Sequence, residues 1–205
     1  MTAQEFNHDE GTDMADVFEV LGQDHREVKE MLAQLEHHAT TAAGGTKQEM
    51  AERKAMAEKL VIEESKHEVV EQMYFWPMVR ERLSPGDELA DIAIAQENEG
   101  KHVLDKLDKL DASEPEFELL LAEFIRAGRE HIAYEEEQVW PALRDALTPQ
   151  EAAELGNRIT EAKKTAPTRP HPHTPASPAV LKATGPAAAA ADKARDAATG
   201  RGESS

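Results

Sequence analysis

Two matching segments of the sequence combine histidine and glutamate at a spacing that can bind a metal. Residues 67–80 read HEVVEQMYFWPMVR, residues 131–144 read HIAYEEEQVWPALR, and the chain's two tryptophans lie in their Trp-Pro pairs. In an α-helix, residues four apart lie on one face, so each segment predicts an imidazole beside a carboxylate. The two pairs are His67 with Glu71 and His131 with Glu135. One pair alone is typical of a helix surface, but the repeat predicts two halves of one metal centre.

Two further histidines interrupt the apolar stripes of predicted helices. His25 lies in a stripe that runs from Met14 to Leu35, and His102 lies in one that runs from Leu89 to Leu110. Alone, either would more often be a core histidine than a ligand. Counting from shared turns at 1.5 Å per residue places His25, His67 and His102 at similar heights in an antiparallel bundle. His131 is offset from His102 by about 10 Å on the same count.

The elements that must position these residues are predicted to be helices. Apolar residues recur at steps of three and four, and capping-box patterns follow Thr46, Ser84, Ser113 and Thr148. Pro77 and Pro141 are expected to kink or fray a last turn, and short turns between long helices favour antiparallel neighbours. The fold class is therefore all-α, an antiparallel up-down four-helix bundle with a short fifth helix. The predicted helices cover about residues 13–43, 47–82, 85–111, 115–146 and 149–164.

The composition divides the chain into three parts. Residues 1–12 are predicted to be a flexible N-terminus, and residues 13–164 form the bundle with the short fifth helix. Residues 165–205 are rich in proline and alanine and are predicted to be a disordered, dispensable tail.

The net charge and the absence of some residue types exclude several classes of function. The formal net charge is -18, which disfavours nucleic acids and anionic membranes as partners. The chain has no cysteine, so disulfides, thiolate metal sites and cysteine nucleophiles are excluded. No apolar run approaches the roughly 20 residues that cross a bilayer, and the N-terminus has no signal-peptide pattern. The sequence therefore predicts a soluble cytoplasmic protein.

The donor types indicate which metals would suit such a centre. Four imidazoles and two carboxylates buried together are costly unless a cation compensates them. Six ligands exceed what one tetrahedral zinc uses, and mixed imidazole and carboxylate ligation suits iron or manganese. Two carboxylates that can bridge indicate two metal ions rather than one. The predicted ligands are His25, His67, Glu71, His102, His131 and Glu135.

In the order His25, His67–Glu71, His102 and His131–Glu135, the chain resembles the hemerythrin-like, or HHE cation-binding, domain. The proline ten residues after each paired histidine is also typical of that family, and the resemblance covers about residues 13–146. It implies a four-helix bundle with two non-haem iron ions that meet O2, hydrogen peroxide or NO. It also implies that the two glutamates bridge the irons and that the histidines cap them.

Residues near this set leave part of the chemistry open. Oxygen-carrying members of the family have a further histidine one turn beyond that of the third helix, where this chain has Lys106. The resemblance therefore implies open coordination positions, which favour reaction over reversible carriage. Glu68 and Glu136 are further candidate ligands. Tyr74, on the predicted face of His67, is either a catalytic hydrogen-bond donor to peroxide or a core aromatic residue.

Several functions are compatible with these residues. The favoured one is a non-haem di-iron protein that binds or turns over O2, hydrogen peroxide or NO, with catalase-like protection against peroxide preferred within it. The alternative is binding or sensing of O2, NO or iron without turnover. A ferritin-like iron store or ferroxidase would use Glu64 with His67 and Glu99 with His102, but would leave His25 and His131 unexplained. A metal-free helical adaptor requires all the core histidines to be coincidental. The oligomeric state stays open.

Overall fold

The computed structural model describes residues 15–201, which form eight α-helices and, within that range, no strand. Two five-residue π-helical segments, Glu71–Phe75 and Glu135–Val139, join α2 to α3 and α5 to α6. The predicted flexible N-terminus, residues 1–12, lies outside the described residues. The α-helices are α1 Val17–His37, α2 Lys47–Val70, α3 Trp76–Arg82, α4 Gly86–Leu107, α5 Pro115–Tyr134, α6 Trp140–Ala146, α7 Pro149–Lys163 and α8 Pro178–Thr199.

Four long helices form the bundle that the sequence predicts. Helix α1 packs against α2 and α5, and α4 packs against α5 and α2. The short helix α7 packs on α1 and α2 and buries Leu155 and Ile159. The all-α fold class is thereby confirmed. No helix within residues 15–201 is both long and apolar enough to span a bilayer.

Capping residues explain where three of the helices begin. Asp16, Thr46 and Thr148 each form a complete capping box with the glutamate three residues later, which satisfies backbone N–H groups that the first turn leaves free. The boxes predicted at Ser84 and Ser113 do not form. Helix α4 starts after Pro85 and α5 after Glu114, and neither start has a side-chain cap.

The two proline-containing segments differ from the prediction of a kinked or frayed last turn. Backbone N–H groups of Trp76 and Trp140 donate to carbonyls five residues back, at Glu71 and Glu135. Proline has no N–H and its ring clashes with the carbonyl four residues back. The extra residue of a π turn accommodates the proline, and the helix continues for two further turns as α3 or α6.

The C-terminal segment is ordered over residues 165–201, in contrast to the predicted disordered tail. Helix α8 has Pro178 in its first turn, where a missing N–H costs little, followed by an alanine-rich stretch with high helix propensity. It packs on the π segment Glu71–Phe75 and buries Leu181. Guanidinium groups of Arg169 and Arg201 lie 3.0 and 2.6 Å from carboxylate oxygens of Asp108 on the bundle. Composition alone did not reveal these long-range contacts.

Candidate metal centre

A buried polar layer divides the core of the bundle into two apolar clusters. One cluster contains Leu32, Leu60, Leu104 and Phe124, and the other contains Phe18, Val70, Trp76 and Leu143. Along each long helix, buried polar residues lie at the change from one cluster to the other. They include His25 on α1, His67 on α2, Glu97 on α4 and Glu135 at the end of α5.

The layer contains two groups of potential metal ligands that share two carboxylates. One group comprises His25, His67, Glu71 and Glu135, and the other comprises Glu71, Glu97, His131 and Glu135. Within each group, one ligand atom from every residue lies within 4.8 Å of the others. His25 and His131 each place Nε2 beside Glu135, at 3.1 and 3.2 Å from its two oxygen atoms, and His67 Nε2 lies 3.2 Å from Glu71.

The two shared carboxylates are placed by the π turns. Glu71 and Glu135 are the first residues of the two π segments, and both are fully buried. Neither carboxylate has an aligned hydrogen-bond donor among the described residues, nor do the Nε2 atoms of the three histidines. A buried carboxylate without such a partner is costly, and a cation at this point compensates it. The residues present therefore fit a bound metal.

The outer nitrogen of each histidine contacts a polar group that fixes the orientation of its ring. Carboxylates and amide oxygens only accept hydrogen bonds here, so Nδ1–H is the donor and Nε2 is free to bind a metal. These contacts also prevent rotation of the three rings. The pairs are His25 with Glu136 at 3.0 Å, His67 with Asp24 at 3.1 Å and His131 with Gln96 at 3.0 Å.

Glu97 is held by two buried donors from the helix opposite. The indole N–H of Trp76 donates to Oε1 of Glu97, and the amide of Gln72 donates to Oε2. Gln72 lies in the π segment and Trp76 directly follows it. The π turn therefore positions Glu97 as well as Glu71. Trp140 has the equivalent place in the second repeat, and its ring stacks on His25 at a centroid distance of 4.7 Å.

Opposite charges determine the protonation of this layer. Burial would lower the pKa of His131, but the carboxylates of Glu135, Glu97 and Glu71 together outweigh burial and raise this pKa to about 10. Burial would raise the pKa of Glu135, but His131 and His25 together lower it. Burial and then the charge of Glu71 raise the pKa of Glu97 to about 7. The chain alone therefore holds protons here that a bound cation must displace.

Five of the six predicted ligands come together, and His102 does not. His102 is exposed on α4, and its ring is 6.0 Å from that of His173. Glu97, five residues earlier, takes the place facing His131. At 1.5 Å per residue this moves the α4 ligand by about 7.5 Å, which removes most of the height mismatch seen in the sequence. The assignment of His102 as a ligand is therefore corrected.

In the sequence of α4, the feature that indicates an inward-facing Glu97 is a stripe of small residues. Ala90, Ala93 and Gly100 are buried, whereas Ile92 is 41 % exposed. The same inner face continues along α4 to Leu104 and Leu107, which are also buried. Weighting the stripe by large apolar residues instead placed His102 on that face.

Tyr74 and Lys106 lie away from the centre. The extra residue of the π turn rotates Tyr74 off the face of His67, and its ring lies 4.7 Å from the ammonium group of Lys182 on α8. Lys106 is exposed near the end of α4, so its identity has no bearing on the coordination positions. The catalytic role considered for Tyr74 is likewise corrected.

The two further candidate ligands have other partners. Glu136 is half-buried, contacts the outer nitrogen of His25 and accepts hydrogen bonds from Lys29 at 2.7 and 2.8 Å. Glu68 is buried, and burial raises its pKa to about 8 despite the ammonium group of Lys101, which lies 3.7 Å away. Neither belongs to a four-residue ligand group.

Comparisons with known proteins identify the family and the fold to which the chain is similar. The profile of the Hemerythrin HHE cation binding domain matches residues 16–143. An uncharacterized hemerythrin-like protein of Schizosaccharomyces pombe is 29% identical over 139 residues, which cover 67% of this chain and 68% of that protein. The crystal structure of a hemerythrin HHE cation binding domain-containing protein from Mycobacterium kansasii is similar, with a TM-score of 0.60 and 24% identity over 74% of this chain and 86% of the other.

Proposed function

The chain belongs to the hemerythrin HHE cation-binding domain family, and from this premise we propose that its polar layer holds two iron ions bridged by carboxylates. The observation that carries the proposal is that Glu71 and Glu135 belong to both ligand groups, whereas each histidine belongs to one. A carboxylate has two oxygen atoms, so a residue shared by two groups can bridge two cations. Imidazole and carboxylate donors without sulfur favour iron or manganese over a structural zinc.

The two ligand groups have four residues each but differ in their donor atoms. One group contains the imidazoles of His25 and His67, and the other contains only that of His131. Two iron ions supply electron transfer to small oxygen or nitrogen species, and the reaction we propose is disproportionation of hydrogen peroxide. One peroxide is reduced to two waters, and a second is oxidised to O2, so electrons and protons balance without another reductant.

The residues around the layer prepare it for this reaction. The two apolar clusters close the layer from above and below, which limits access of large reductants and of bulk water. Asp24 and Glu136 keep two imidazoles in a fixed orientation. Such pre-positioning means that little rearrangement is needed when a small ligand arrives.

The proposal is tested by oxygen release from hydrogen peroxide. The iron-loaded chain should release O2, and His67→Ala should abolish this activity together with metal binding. His102→Ala is the matched control, because His102 is an exposed histidine of the same bundle, and it should keep both. If the iron-loaded wild-type chain leaves peroxide unchanged and binds O2 or NO reversibly, binding or sensing without turnover is correct.

The ferritin-like alternative is not favoured by the positions of its residues. It requires Glu99 and His102 to act as a pair of ligands on α4, but both are exposed. Uptake of many iron ions per chain by the purified protein would nevertheless support storage and contradict a two-ion centre.

A further inference from the structure

A small cavity lies between α8 and the bundle. Its inner wall includes Ser65, Val69 and Lys101, and its outer wall includes Leu181, Thr184 and Ala188 of α8. Its volume is about 30 Å³. A site of this size holds one or two waters, or a molecule of two heavy atoms such as O2 or hydrogen peroxide.

The inner wall of the cavity has polar groups that can form hydrogen bonds with a small molecule. Ser65 is 4% exposed, and its hydroxyl group has no hydrogen-bond partner among the described residues. Buried hydroxyl groups are normally paired, so an unpaired one that lines a cavity indicates a ligand or solvent position. The ammonium group of Lys101, also buried, provides a second donor at the same wall.

The same wall leads towards the metal centre. The ammonium group of Lys101 lies 3.7 Å from Oε2 of Glu68, and Glu68 directly follows the predicted ligand His67. Oε1 of Glu68 lies close to Gly100. A Cβ atom placed on this glycine would be 3.6 Å from that oxygen. Lys101 itself is one helical turn from Glu97. Lys101 therefore links the cavity wall to Glu68, the neighbour of His67 in the sequence, and to the helical turn of α4 that carries Glu97.

We propose that this cavity is the access route by which water-sized, hydrogen-bonding molecules of the hydrogen peroxide class reach the centre. Helix α8 and the segment before it, from Pro167 to Thr174, form its outer wall, and Ser65 and Lys101 are the polar residues of its inner wall. This inference rests on the proposed function, because that function is the reason why hydrogen peroxide would have to reach the centre. Its geometry can be tested without any reaction at a metal.

The two tryptophans of the chain are natural reporters for this test. Trp76 is 1% exposed and donates to Glu97, and Trp140 is 8% exposed and stacks on His25. Quenching of their phosphorescence by dissolved O2 measures how often a two-atom molecule reaches the polar layer. The full chain prepared with zinc is suitable, because zinc has no unpaired electrons that quench emission.

Three substitutions make the test specific. Ala188→Phe fills the cavity from α8, and Ser65→Val fills it from the bundle. Ala190→Phe is the matched control, because Ala190 is exposed on the same helix and does not line the cavity. Because protein interiors are close-packed, we expect each filled variant to lower the O2 quenching rate constant by about threefold or more. The control should leave it unchanged.

The outcomes separate this inference from the proposed function. If neither Ala188→Phe nor Ser65→Val lowers the quenching rate constant, the access route is refuted. If Ala188→Phe displaces α8 and speeds quenching while Ser65→Val slows it, the route is supported. The metal content of the same samples is measured separately, so the loss of the two-ion centre would be seen independently of the quenching result.

Discussion

Replacement of Glu97 discriminates most sharply between the structure and the sequence pattern. Glu97→Gln keeps the size of the side chain and an oxygen that can accept from Trp76, but it removes the charge. Even residues that only support a metal ligand typically contribute about 10–100-fold to metal affinity. We expect at least that loss for one metal ion in Glu97→Gln, and no change in His102→Ala, because His102 is exposed.

The effect of Glu97 on stability can be worked out from its two buried donors. Glu97→Ala leaves the indole N–H of Trp76 and the amide of Gln72 without their acceptor. Each unsatisfied buried donor costs about 1–3 kcal/mol, so we expect a loss of roughly 2–6 kcal/mol in the free energy of unfolding. In Glu97→Gln the amide oxygen still accepts one of these hydrogen bonds, and the loss should be clearly smaller.

Urea unfolding and calorimetric titration with metal together measure these effects. Glu97→Gln should separate them, with weakened binding of one ion and a smaller loss of stability than Glu97→Ala. If Glu97→Gln binds two ions with unchanged affinity while His102→Ala loses one, then α4 presents the opposite face in solution. That result would refute the ligand groups described above.

Three further predictions concern other parts of the molecule. Truncation after Lys164 removes Leu181, whose burial is worth about 1.5–3 kcal/mol. At about 2–4 °C per kcal/mol, Tm should fall by several degrees. An unchanged Tm would show that α8 does not pack on the bundle. Zinc binding at pH 8 should release at least one proton per chain in a pH-stat, because the pKa of His131 is raised to about 10 in the chain alone. Binding without proton release would contradict a protonated His131 in the metal-free chain. Lys106→His should leave the metal content unchanged, since this position is exposed, and a gain of affinity in a metal titration would argue otherwise.

Much of the centre was predictable because the repeat obeys simple helical geometry. The pairs His67–Glu71 and His131–Glu135 have the four-residue spacing that places side chains on one face, and both come together in the structure. His25 was predictable from its place in an apolar stripe. The capping boxes at Thr46 and Thr148 also marked true helix starts.

The features that the sequence analysis missed depend on packing between helices. A π turn changes the direction of every following side chain, so Tyr74 leaves the face that a regular helix predicts, and Trp76 turns inward to Glu97. The inner face of α4 combines small residues near Glu97, such as Ala93 and Gly100, with Leu104 and Leu107 further along, whereas Ile92 is exposed. Arg169 and Arg201, which flank α8, form ion pairs with Asp108, which lies far away in the sequence.

The metal content of the iron-loaded full chain tests the central claim most directly. Elemental analysis with protein quantification should give two iron ions per chain for the wild type. Glu71→Gln, which alters a carboxylate that belongs to both ligand groups, should bind less than the wild type, whereas His102→Ala should still bind two. One ion or fewer per wild-type chain, or two ions retained in Glu71→Gln, would contradict a centre bridged by shared carboxylates.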